Sequence, residues 1–329
     1  MKKYLIGILL CCPLVPFAQH GEYKVTQQFS IKSTAGWDYL SIHKDKLYVS
    51  HGNQVNVLNK KNGDSVGVIP NTIGVHGIAF DTINNIGFIS NGKLNNVFAF
   101  HIGTNEVITT IATGENPDAV LYEPYSKTII TCNGRSKNLT FIDAISFKVI
   151  ATTDVGGKPE TAVSDEAGNL FVNIEDKNEI VKVNVLTHQV VAHWKINPIE
   201  SPTGLAIDIK SKRLFSGGEK LMAVVNAETG KIITTLPIGD GCDGVAFDNA
   251  NKIILTSNGV GTMSVIKEKD ANHFELINTV ITAQGARTIA IDEATGLVYI
   301  PTASFEPSTF NGKRTPMIPG SFKILVLKN

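Results

Sequence analysis

Cys242-Asp243-Gly244-Val245-Ala246-Phe247 decides the fold, because six variants of it recur along the chain. They open at Trp37-Asp38-Tyr39-Leu40-Ser41-Ile42, Val75-His76-Gly77-Ile78-Ala79-Phe80, Pro117-Asp118-Ala119-Val120-Leu121-Tyr122 and Pro159-Glu160-Thr161-Ala162-Val163-Ser164. Pro202-Thr203-Gly204-Leu205-Ala206-Ile207 and Ala286-Arg287-Thr288-Ile289-Ala290-Ile291 complete the set. Their second residues are 38 to 44 positions apart. A self-similar period of about 42 residues with strand-like content marks the blades of a β-propeller.

Each copy leads into a second apolar run closed by turn residues, such as Leu47-Tyr48-Val49-Ser50-His51-Gly52 or Ile254-Leu255-Thr256-Ser257-Asn258-Gly259. β-branched and aromatic residues ended by Ser, Asn and Gly read as a strand entering a turn. A third strand (Met222 to Asn226), a Gly-containing turn and a fourth strand (Lys231 to Leu236) finish the unit. The expected fold is therefore all-β: a seven-bladed β-propeller of four-stranded antiparallel blades. The seventh repeat has no fourth strand after Ile324 to Lys328, whereas Tyr23 to Ile31 alternates as a strand should. These two segments are expected to pair, closing the ring and removing two exposed edges.

The first 18 residues stand outside this pattern. Lys2 and Lys3 precede the apolar run Tyr4 to Leu10 and a small-residue exit to Ala18. That order reads as a cleaved secretory signal peptide, and the run is too short to span a bilayer. The expected organisation is residues 1–18 as signal peptide and 19–329 as one propeller domain. The expected location is secreted, in the periplasm. Formal net charge is zero and no basic block occurs, so nucleic acid is not an expected partner. Cys132 and Cys242 fall in the third and sixth repeats, too far apart on a ring for a disulfide. A monomer is the expected state.

These landmarks resemble the YVTN-repeat family of seven-bladed propellers, the YncE-like proteins. The resemblance rests on Leu47-Tyr48-Val49-Ser50, Val225-Asn226-Ala227-Glu228-Thr229-Gly230 and Asp243-Gly244-Val245-Ala246-Phe247-Asp248, and it covers residues 32 to 329. It implies a scaffold and assigns no catalytic residue.

First strands begin, and second strands end, on one face of such a ring. Asp38, His76, Asp118, Glu160, Thr203, Asp243 and Arg287 are thus expected around the channel mouth, with His51, Asn91, Asn133, Glu175, Asn258 and Thr302 as an outer set. Converging polar groups make this face the default binding site for a small molecule or a protein or peptide partner. Arg287 lies between Asp243 and Asp38 in ring order, and His76 between Asp38 and Asp118. Asp118 and Glu160 have no ring cation beside them; whether Lys158 reaches them stays open. Two close carboxylates raise a pKa or recruit a cation, so Asp118, Glu160 and His76 form the candidate metal set. No cofactor is dictated; calcium or magnesium would suit the oxygen donors. Solvated structural polarity, a ligand site and a divalent-metal-dependent hydrolase or lyase all remain open readings. No nucleophile elbow, His-Glu-X-X-His, phosphate-binding Gly loop or Cys-X-X-Cys occurs. One departure from the period stands out: blade seven carries about 19 extra residues between its second and third strands, at 302–320. Long inserted loops are often functional, and a lid over the mouth is one possibility for this one.

Overall fold

A computed structural model describes residues 22–33, 35–307 and 315–329. The expected signal peptide, residues 1–18, and the tip of the blade-seven insertion lie outside the described residues.

Seven four-stranded antiparallel sheets form the protein. Blade 1 comprises Trp37–His43, Lys46–His51, Gln54–Asn59 and Ser65–Pro70, and blades 2 to 6 repeat that order. Blade 7 comprises Ala290–Asp292, Leu297–Thr302 and Lys323–Lys328, and takes its outer strand, Lys24–Ser30, from the other end of the chain. Its register runs from Lys24 opposite Lys328 to Ser30 opposite Lys323. First strands contact one another in sequence around the ring, and that of blade 7 returns to that of blade 1. The seven-bladed propeller and its closure are thus as the repeats require. Among the described residues, no helix is long and apolar enough to cross a membrane.

Burial follows position within each blade. Second and third strands are almost wholly buried because a neighbouring blade covers each face. Outer strands such as Val107–Ala112 are exposed on one face. The core is accordingly seven apolar clusters, most of them spanning two blades: Tyr48, Val57, Ile69, Ile89 and Phe100 join blades 1 and 2. Such layered burial drives folding in proportion to the apolar area removed from water.

The recurring glycine of the opening motif has a packing reason. A Cβ on Gly77 would stand 2.8 Å from the backbone nitrogen of Val120, and one on Gly204 would stand 2.7 Å from that of Val245. First strands of neighbouring blades approach this closely around the channel, so the position favours the smallest side chain. Cys132 and Cys242 are both free and buried.

Candidate functional site at the channel mouth

The motif places its second residues through a repeated backbone irregularity. Register shifts fall between Trp37 and Leu40, Val75 and Ile78, Pro117 and Val120, Pro159 and Ala162, and Cys242 and Gly244. Each is a β-bulge, which leaves a residue unpaired and re-aims its side chain. Asp38, His76, Asp118, Glu160 and Asp243 all sit in these bulges.

Side-chain hydrogen bonds between blades then fix the bulges. Ser50 donates to the carbonyl of His76, Ser90 to that of Asp118 at 2.5 Å, and Ser257 to that of Arg287. Thr288 donates to the carbonyl of Asp38 at 2.7 Å, so blade 7 holds blade 1 in the same way. Cys132 takes the serine position in blade 3, where a weak S–H donor replaces the hydroxyl.

His76 joins three blades at the mouth. Its Nδ1 lies 2.5 Å from Asp38 Oδ2 and 3.7 Å from Asp118 Oδ1. Asp38, His76 and Asp118 can each offer one ligand atom within 4.8 Å of the others. Lys158 pairs with Glu160 at 2.6 Å and also with Glu175. Arg287 Nε stands 3.3 Å from Asp243 Oδ2.

Of the expected metal set, His76 and Asp118 come together with Asp38 as the third donor, while Glu160 is paired with Lys158. Of the outer set, His51 is buried, with Nδ1 3.1 Å from Asn56 Oδ1 and its ring stacked on Phe322 at 4.4 Å. Asn91 donates to Asn96 at 2.9 Å; Asn133 donates to Asn138 and Thr140, both at 2.8 Å. Asn258 donates to Thr262 at 3.1 Å and Ser264 at 3.2 Å. All three asparagines are buried and tie the end of a second strand to the third strand, so they shape the turn.

Tyr39 is a site residue that the repeat analysis overlooked. Its side chain leaves blade 1 and packs against the apolar cluster of blades 3 and 4, which includes Ala119, Cys132 and Ala162. It therefore reaches from blade 1 to blades 3 and 4. Burial first, then the charges of Asp118, Asp38, Glu160 and Asp243, push its phenol well above the ordinary tyrosine range. A signal was present: the other six repeats carry only Gly, Ala or Thr at this position.

The electrostatics of the mouth are lopsided. Burial, then Asp38, pushes the Asp118 carboxyl up, with His76 opposing. Burial and Asp118 likewise push Glu160 up, against Lys158. Asp243 is raised to about 6 by burial, with Arg287 pulling it down and Asp38 pushing it up. Burial works to lower His76, but the hydrogen bond with Asp38 and the charges of Asp118 and Asp38 lift it to about 9. Asp38 and Asp118 thus favour the protonated form of His76. Asp118 Oδ1 and Arg287 Nε are among the buried atoms with no hydrogen-bond partner in the described residues, as are His51 Nε2 and Asn91 Oδ1 of the outer set. Chemically, the mouth can seat a positive charge, or take up a divalent cation in exchange for the His76 proton.

No family model matches the chain, and no curated protein matches it in sequence. Among solved structures it is similar to hydrazine synthase of Kuenenia stuttgartiensis, with a TM-score of 0.71 and 12% identity. The match covers 83% of this chain and 93% of that one. At that identity the likeness shows the fold alone.

Proposed function

We propose that this chain is a secreted, periplasmic β-propeller scaffold of the YVTN type whose channel mouth binds a small ligand through a positively charged group. The observation that carries this reading is Asp118: a carboxyl in a bulge, with a buried oxygen that nothing bonds, beside a second aspartate. Uncompensated carboxylates recruit cations, and the same group on a protein or peptide partner would suit the seat equally. Tyr39, packed against blades 3 and 4, sets apolar surface beside the seat.

A second reading is favoured by the Asp38–His76–Asp118 grouping: a divalent-metal-dependent hydrolase or lyase. The donor set fits calcium, magnesium or another hard cation. A metal there would act as a Lewis acid, while Asp38, His76 and Asp118 would hold it and Glu160 and Lys158 would remain paired.

Melting temperatures of the wild type and Asp118→Asn, each with and without millimolar calcium or hexylamine, test both. A ligand that binds only the folded state raises its stability. Stabilisation by hexylamine in the wild type, lost in the variant, supports the scaffold; stabilisation by calcium alone favours the metal reading. No response to either ends both.

A further inference from the structure

Resting on the cation seat above, we infer that the ligand carries a second pole: the mouth is built for an extended zwitterion, its ammonium on Asp118 and its carboxylate on Arg287.

Among the seven opening residues of the mouth, two unmet hydrogen-bonding atoms are of opposite character. Asp118 Oδ1 is a buried acceptor, and Arg287 Nε a buried donor. Their neighbours leave both wanting. His76 Nδ1 sits 2.5 Å from Asp38 but 3.7 Å from Asp118. Asp243 lies 3.3 Å from Arg287 Nε, yet Nε makes no hydrogen bond to it. A buried polar group without a partner is costly, and charge-assisted bonds are the strong ones. A ligand that completes both atoms gains more than one that completes either.

The alternative seat for an anion is already filled, because Lys158 bonds both Glu160 and Glu175. That leaves Arg287, whose guanidinium suits a carboxylate better than an ammonium does. Ring order sets the distance between the poles. Asp118 belongs to blade 3 and Arg287 leads into blade 7, three steps apart and as far as a ring of seven allows. An α-amino acid holds its charges on neighbouring carbons, whereas an ω-amino acid separates them by a methylene chain. The latter suits poles on well-separated blades, and the Tyr39 ring, packed against the cluster of blades 3 and 4, offers apolar surface to its methylenes on the Asp118 side.

Calorimetric titration with ε-aminocaproate, hexylamine and caproate tests this on the wild type, Arg287→Gln and Arg287→Lys. In the wild type ε-aminocaproate should bind on the order of tenfold more tightly than hexylamine, as expected for one added charge-assisted bond. Arg287→Gln should abolish that preference and leave hexylamine binding in place. Arg287→Lys should retain part of the preference and serves if the glutamine variant folds poorly. Equal affinities for hexylamine and ε-aminocaproate would overturn the two-pole inference while leaving the cation seat standing. A preference that survives Arg287→Gln would also overturn it. Failure of both amines to bind would remove the seat itself.

Discussion

Asp118 and His76 carry the chemistry of the mouth, and their protonation couples it to stability. In an unfolded chain a carboxyl titrates near about 4 and an imidazole near about 6.5. Here Asp243 is raised to about 6, His76 to about 9, and Asp118 and Glu160 are also raised. The folded state therefore holds more protons than the unfolded chain across this interval. Stability from these groups is full on the acid side and is lost as pH rises through the raised values. Melting temperature should fall between about pH 5 and pH 9, and Asp118→Asn should flatten that slope while leaving neutral-pH stability equal or higher. A melting temperature that rises over the interval would contradict the assignment. Tyr39→Ala should cost roughly 2 kcal/mol in denaturant unfolding, since a partly buried aromatic is lost from a packed interface. It should also weaken hexylamine binding by removing apolar surface beside the proposed seat. The ring aspartates were legible in the sequence because the bulge recurs at one motif position. The reach of Lys158 was not, because a flexible four-carbon stem leaves its partner undetermined. Tyr39 was legible in principle, as the one bulky residue in a column of small ones.

At the scale of the strand and its turn, one residue type proved ambiguous. An asparagine ending a second strand can face solvent or bond back to its own hairpin, and the repeat pattern does not distinguish these. Asn133 bonds back twice, to Asn138 and Thr140, and accepts a bond from Thr131. Asn133→Ala should therefore destabilise the protein by about 1–3 kcal/mol, the cost of leaving buried partners unmet, without altering amine or calcium binding. A loss of binding at unchanged stability would return Asn133 to the site. The glycine column follows the same logic of close contact. A side chain at Gly77 meets the backbone of blade 3, so Gly77→Val should lower the melting temperature by forcing two first strands apart. The base of the blade-seven insertion is also fixed by local packing. Phe305 bridges to Met317, and Trp37 stacks with Phe322 at 5.2 Å and packs against Phe305 at 6.2 Å. Its anchoring to the first strand of blade 1 could not be read from the period, because an insertion interrupts the repeat that made everything else legible.

For the whole molecule, closure and the mouth are one problem: the ring must close for the seven opening residues to converge. Lys24–Ser30 closes it by pairing with Lys323–Lys328, and it buries Tyr23 and Phe29 in two different clusters. Deleting residues 22–31 should cost about 1.5–3 kcal/mol for each of those aromatic side chains, lower the melting temperature and promote aggregation through the exposed edge. An unchanged melting curve would deny the pairing its role. Closure was legible because a missing fourth strand and a surplus N-terminal strand are complementary on any ring. The proposed cation seat rests on carboxylates that outnumber their cations at the mouth, and the carboxyl-carbon NMR titration of Asp118 tests that most directly. In the free protein it should titrate well above the ordinary carboxylate value of about 4, and saturating hexylamine should bring it down by favouring the charged form. An ordinary value that hexylamine leaves unmoved would contradict the cation seat.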